Sequence, residues 1–289
     1  MIVLLISIIA SSIIFVIFKL FQQFKVDTFQ AIVFNYFTAF LCGIILFHHE
    51  WNEKVLEESQ WFIGVLSCSV LFISLFILIG LSSQRNGVAS TSVAVKMSMA
   101  LSVLAMILFY NESVRILKIV GILMAFMGVI LVTYEKKTKT QNNDAALWML
   151  VILFFGSSLL DLILNYSQKS LLGSLSPSLF SAFGFGLAGI IGFIILLFQI
   201  QQRKTQIVLR NVFAGIILGI PNFFSIYLLL MAYQTSGLSD SNVVTIVNIG
   251  IVGLSALLGW SLFKENMQAK KVVGLILSVI AIALISFNS

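Results

Sequence analysis

Residues 135–144 read EKKTKTQNND, ten consecutive polar or charged positions almost at the midpoint of a 289-residue chain. Everything around them is different in kind. A membrane-spanning helix needs about 20 predominantly apolar residues to cross a hydrocarbon core of roughly 30 Å. Such runs lie at 2–18, 29–47, 61–82, 88–110 and 116–134 before the polar stretch. They continue at 146–166, 179–200, 212–233, 243–263 and 272–287 after it. The stretch therefore reads as a linker (135–145) between a first five-helix unit (1–134) and a second (146–289). The expected class is an all-α integral membrane protein with ten transmembrane helices.

Composition points the same way. Hydrophobic residues make up 60% of the chain and charged residues 10%, with a mean hydropathy of +1.08. A soluble domain carries about 25% charged residues, so this chain lacks the charge to cover a water-facing surface. The joints at 22–27, 84–87, 111–115, 235–240 and 264–271 are short, which makes neighbouring helices antiparallel. Barrel strands of about ten alternating residues are absent. Residues 2–18 have no basic residue before them and no small-residue cleavage pattern after them, so they read as a first span and not as a removed signal peptide. The net charge of +6 is spread over the joints without aromatic interleaving, which argues against a nucleic-acid partner. Cys42 and Cys68 lie singly in apolar runs, and no metal site or cofactor is indicated.

The two units resemble each other. Leu101 and Ser102 match Leu254 and Ser255, and Glu112 matches Glu265, each in a tight turn between helices. Lys118 matches Lys271, and Gly121 matches Gly274. Gln84 and Gly87 match Gln234 and Gly237, with a three-residue gap between. Phe34 with Phe180 and Gly43 with Gly189 are weaker matches. A unit of five helices starts on one face of the membrane and ends on the other, so its tandem copy inserts upside down. Inverted repeats of this kind underlie many secondary transporters. Two states open to opposite faces become nearly equivalent when the halves exchange conformations.

The turn Asn111, Glu112 and Ser113, followed by a helix with Gly121 and Gly128, resembles the end of one unit of the drug/metabolite transporter superfamily. The pattern recurs at Lys264, Glu265 and Asn266 with Gly274. Together with the ten-span layout, the chain is similar to EamA-type members over nearly its whole length. It differs in having no proline within the fourth and ninth helices. The resemblance implies both termini in the cytoplasm. The odd-numbered joints, by contrast, carry Lys25, Arg85, Lys136, Lys137, Lys139, Arg203, Lys204, Arg210, Lys264, Lys270 and Lys271, against Lys54, Arg115, Lys118 and Lys169 on the even joints. Basic residues favour the cytoplasmic side, so the charge count places both termini outside.

A charge at the bilayer centre costs at least roughly 2.5–3.5 kcal/mol on insertion scales and marks a functional site by default. Lys96 lies about 12 Å along its helix, near the limit from which its stem could snorkel to the interface. Asp161 sits deep in the sixth span, where a short side chain cannot snorkel. Both are substrate-binding or coupling candidates, and a pairing between them is a further expectation. Asn35, Tyr36, Asn165, Tyr166, Asn222 and Asn248 form a second tier, with interhelical packing as the plainer role. Pro221 beside Asn222 removes a backbone donor, which makes either a kink or a broken helix of the kind that binds substrate. Gly186, Gly189, Gly192, Gly215 and Gly219 fit close helix packing. Glu112 and Glu265 read as helix-start caps. His48 and His49 are assigned no role.

The function implied is secondary transport of a small metabolite, such as an amino acid or related solute, by alternating access and in the export direction. Coupling is to an ion or to exchange, since no nucleotide-binding loop is present. Flipping of a lipid-linked substrate is an alternative. An intramembrane enzyme is a weaker one, because no histidine lies in a span and no nucleophile–base pair is evident. The partners are the substrate, a coupling ion and the lipid bilayer, and the expected location is the inner cell membrane. Both repeats lie in one chain, so a monomer suffices, although the sequence does not set the oligomeric state.

Overall fold

The computed structural model describes residues 2–51, 53–56, 59–110, 116–133, 144–237 and 240–286. Within them lie ten α-helices: α1 (Ile2–Gln23), α2 (Thr28–Phe47), α3 (Trp61–Arg85), α4 (Val88–Tyr110), α5 (Ile116–Thr133), α6 (Asp144–Ser170), α7 (Pro177–Gln201), α8 (Leu209–Thr235), α9 (Asp240–Phe263) and α10 (Ala269–Ser286). Two short 3-10 turns, His48–Glu50 and Glu53–Leu56, fill some of the α2–α3 joint. Most helices outrun the apolar stretches by a few polar residues, as at Gln22, Gln23, Gln84 and Arg85. Eight of the ten are long and apolar enough to cross a membrane. The shortest, α5 and α10, have 18 residues each, which is roughly 27 Å of rise.

Local chemistry sets the ends. Asp27 caps α2, its carboxylate accepting the amide of Gln30. Ser176 caps α7 by accepting the amide of Leu179, with Pro177 at the first helical position, where its missing donor costs nothing. Helix α3 stops at Gly87 (φ 89°) and α8 at Gly237 (φ 69°). These two glycines hold matching repeat positions, and both adopt the left-handed conformation that needs no Cβ. The α1, α7 and α9 ends use Lys25, Arg203 and Lys264 in the same conformation, with φ of 50°, 55° and 52°. That conformation costs an L-residue roughly 1–2 kcal/mol. Helix α8 continues through Pro221 without interruption, so the broken-helix alternative does not hold. A proline removes one backbone donor, and the flanking turns keep the rest of the ladder.

The chain forms two compact units, and each draws on both halves of the sequence. The first comprises 1–19, 79–158 and 228–289, and the second comprises 20–78 and 159–227. In the first, α4 packs on α9 and α5 on α10. In the second, α2 packs on α7. Each of these pairs joins a helix to its own repeat copy, five helices later. Lipid tails are as apolar as leucine, so the helices associate through close van der Waals contact at small residues. A Cβ on Gly274 would lie 2.9 Å from the carbonyl of Gly128, and one on Gly121 would lie 2.8 Å from Ile285. In the second unit, Gly43 presses on Ala182 and Gly189 on Phe37 and Tyr36.

The first unit's core groups Val93 and Met97 of α4, Ala125 of α5, Val252 of α9 and Ile282 of α10. A second patch sets Leu4 and Ile8 of α1 against Val247 and Ile251 of α9. The second unit's core contains Val65, Cys68, Leu179 and Phe180. Large apolar residues such as Ile45, Ile63, Ile116, Ile130, Trp148, Phe198 and Phe213 point outward. That outside fits a hydrocarbon solvent and would fail in water.

Candidate functional site

In the first compact unit, Glu265 is the centre of a buried polar cluster. It follows α9 in the turn to α10, yet the helix it caps is α4. Its Oε1 accepts the amide of Val88 at 2.6 Å, and its Oε2 accepts that of Ala89 at 3.4 Å. Reading it as a helix-start cap therefore needs one correction: the helix is not the one that follows it in sequence. A carboxylate there meets two orphan donors and the positive end of the helix dipole. Lys271 approaches Oε2 at 3.7 Å, and both side chains are only 9% exposed.

Two glycines make room for that carboxylate. A Cβ on Gly87 would stand 2.5 Å from Oε1, and one on Gly259 would stand 2.7 Å from Oε2. The amide of Glu265 also donates to the carbonyl of Gly259 at 3.1 Å. From α1, the Lys19 ammonium donates to the carbonyl of Gln84 at 2.7 Å, satisfying an orphan acceptor at the end of α3. The α3–α4 turn is thus held at its carbonyl end by Lys19 and at its amide end by Glu265. Sequence reasoning missed Lys19 and Gly259. Lys19 sits just past the expected end of the first span, and the paired Gly87 and Gly237 were the only trace of the seat. Glu112, the repeat counterpart of Glu265, lies outside the described residues, as does most of the 135–145 linker.

Of the remaining candidates, Lys96 and Asn248 fall in the first unit. Asn248 donates to the Met99 sulfur at 3.6 Å, linking α9 to α4. Lys96 lies one turn from Met99 on the same face of α4 and is half-buried. Ser102, also on α4, donates to the Ser158 hydroxyl at 3.1 Å.

Asn35, Tyr36, Asp161, Asn165, Tyr166, Pro221 and Asn222 fall in the second unit. The structure brings two of them together: Asn222 Nδ2 donates to Asn35 Oδ1 at 3.2 Å, both residues buried. The surrounding packing is tight, since a Cβ on Gly219 would lie 2.7 Å from the Asn35 carbonyl oxygen. This pair is an interhelical strut between α2 and α8 of the kind small residues permit. Tyr36 is buried against Phe76 and Phe185, with ring centroids at 5.5 and 5.9 Å. On α6, Asp161 and Tyr166 are exposed and Asn165 is half-buried. Asp161 and Asn165 share a helix face four residues apart.

Comparison with known proteins fits this layout. The family model described as "EamA-like transporter family" matches twice, over residues 1–134 and 145–287. A protein of Haemophilus influenzae, described only as an uncharacterized protein, is 28% identical over 284 residues, covering 96% of this chain and 95% of its own length.

Proposed function

The chain belongs to the EamA-like transporter family, and we propose that it is a secondary transporter that exports a small metabolite, such as an amino acid or a related solute, by alternating access in the inner cell membrane. The observation that carries this reading is the duplication itself. One family model matches both halves, and α2, α4 and α5 each pack on their own copies, α7, α9 and α10. A five-helix unit repeated once is inverted, and inverted repeats supply two near-equivalent states that open to opposite faces. The drive would be an ion gradient or exchange. Lys96 and Asp161 are the proposed coupling or substrate-binding charges, because an ionisable group in a span is expensive and is retained for use. Asn165, Tyr166 and Asn248 are proposed as secondary contacts, whereas Asn35, Tyr36, Pro221 and Asn222 are better supported as packing elements.

A thermal-shift screen of detergent-purified protein against amino acids, sugars and nucleotide metabolites tests the reading, since a binder stabilises the folded state by mass action. The expected result is a ligand that raises the melting midpoint and is then moved across proteoliposomes against or in exchange with a gradient. Turnover of a membrane lipid without movement of any solute would overturn it.

A further inference from the structure

The α1–α2 and α7–α8 turns both belong to the second compact unit and are stitched together by buried polar groups. Gln30, 1% exposed, donates to Thr205 Oγ1 at 2.6 Å and to the carbonyl of Gln206 at 2.9 Å. Its Oε1 accepts from Asn211 Nδ2 at 2.9 Å, and Asn211 Oδ1 accepts the amide of Asp27 at 3.0 Å. The Arg210 guanidinium donates to the carbonyl of Lys25. A fully satisfied buried network of this kind fixes the geometry of what it carries.

It carries cations. Lys25, Arg203, Lys204 and Arg210 are all exposed, and among the described residues none has a carboxylate partner. The only acidic residue in the two turns, Asp27, is engaged as the cap of α2. Two of the four cations, Lys25 and Arg203, occupy left-handed positions that end α1 and α7. Glycine is the unstrained choice there. The patch is also amphipathic: Phe24 stands 62% exposed next to Lys25 in the α1–α2 turn, and Ile207 and Leu209 stand exposed next to Arg210 at the end of the α7–α8 turn.

We propose that these two turns form a docking surface for the headgroup of an anionic phospholipid. The four cations meet the phosphate, and Phe24, Ile207 and Leu209 meet the upper acyl chains. The exposed apolar residues favour a lipid over a soluble anion, and the rigid stitching favours a defined site over a diffuse basic surface. Attraction of basic residues to an anionic leaflet is short-ranged and additive per residue.

The test uses delipidated full-length protein in a neutral detergent, titrated separately with phosphatidylglycerol, phosphatidylcholine and inorganic phosphate. Lipid retention is read by native mass spectrometry and stability by thermal midpoint. Phosphatidylglycerol is expected to be retained selectively and to raise the midpoint. The triple variant K25Q/R203Q/K204Q, which leaves the Arg210 contact intact, is expected to lose that retention by about tenfold or more. The variant R85Q/K264Q/K270Q, which removes the same charge elsewhere, is expected to keep it. Independently of any variant, retention by the unmodified protein falls as salt is raised. The proposal fails if phosphatidylcholine is held as well as phosphatidylglycerol, if both triple variants lose retention equally, or if retention is indifferent to salt. An equal shift with inorganic phosphate alone would make it a soluble-anion site and overturn the lipid assignment.

Discussion

The carboxylate of Glu265 accepts the backbone amide of Val88 at 2.6 Å across 177 residues of sequence. The second repeat thereby supplies the cap of a helix in the first. A hydrogen bond to a charged group contributes about 1.5–3 kcal/mol, and a helix cap about 1 kcal/mol. Glu265→Ala is accordingly expected to cost about 2–3 kcal/mol. Glu265→Gln keeps an acceptor near Val88, loses the ion pair with Lys271, and is expected to cost less. Thermal melts in detergent give the order. Hydrogen exchange should rise first at Val88 and Ala89, and uniform exchange along α4 would show that the cap is not local.

The glycine seat makes a sharper prediction, because it links residues through a third. Gly259→Ala pushes a methyl group to 2.7 Å from the Glu265 carboxylate, a clash with an expected cost of about 1–3 kcal/mol. In a Glu265→Ala background the clash has no partner, so most of that cost should vanish. Gly87→Ala is not rescued in the same way. Its φ of 89° strains any L-residue even after the carboxylate has gone. A double-mutant cycle on the two glycines, each against Glu265→Ala, separates the steric contribution from the backbone one. Equal rescue of both would refute this division.

What the sequence carried and what it hid follow from the range of the interactions. Apolar run length is a local property, and it located all ten helices, because hydrocarbon imposes the same minimum on each span. The match of Gly87 with Gly237 was also local, and both positions adopt positive φ. The site was less legible. Lys19 acts through a partner 65 residues away and Gly259 through the space it leaves for the Glu265 carboxylate, and no pattern in the neighbouring residues signals either role. Asn35 and Asn222 each read as a lone amide in a span, and only the structure shows one facing the other.

Neutralising the two span charges tests their assignment without any assumption about pairing. Lys96→Gln and Asp161→Asn are expected to leave the unfolding free energy within about 0.5 kcal/mol of the parent when they act in coupling rather than packing. Uptake or efflux of the identified ligand in proteoliposomes should fall by tenfold or more in each. Full transport by either variant removes that residue from the mechanism, and a collapse of stability with it would make the residue structural.

Two helical glycines separate packing from propensity. Gly128 of α5 faces Gly274 and Ser278 of α10, and a Cβ there would lie 3.1 Å from the Gly274 carbonyl oxygen. Gly253 of α9 has nothing within 4 Å of its would-be Cβ among the described residues. Alanine is a better helix former than glycine by about 0.8–1 kcal/mol, so Gly253→Ala is expected to be neutral or stabilising by up to that amount. The same substitution at Gly128 must push apart a closely packed helix pair, and lipid offers no hydrophobic penalty for separation. Gly128→Val, with a branched side chain, is expected to cost about 1–3 kcal/mol. Thermal melts of both variants decide the matter. Opposite signs support a glycine-mediated α5–α10 crossing, whereas a tolerated valine at Gly128 would show that the two helices have room to spare.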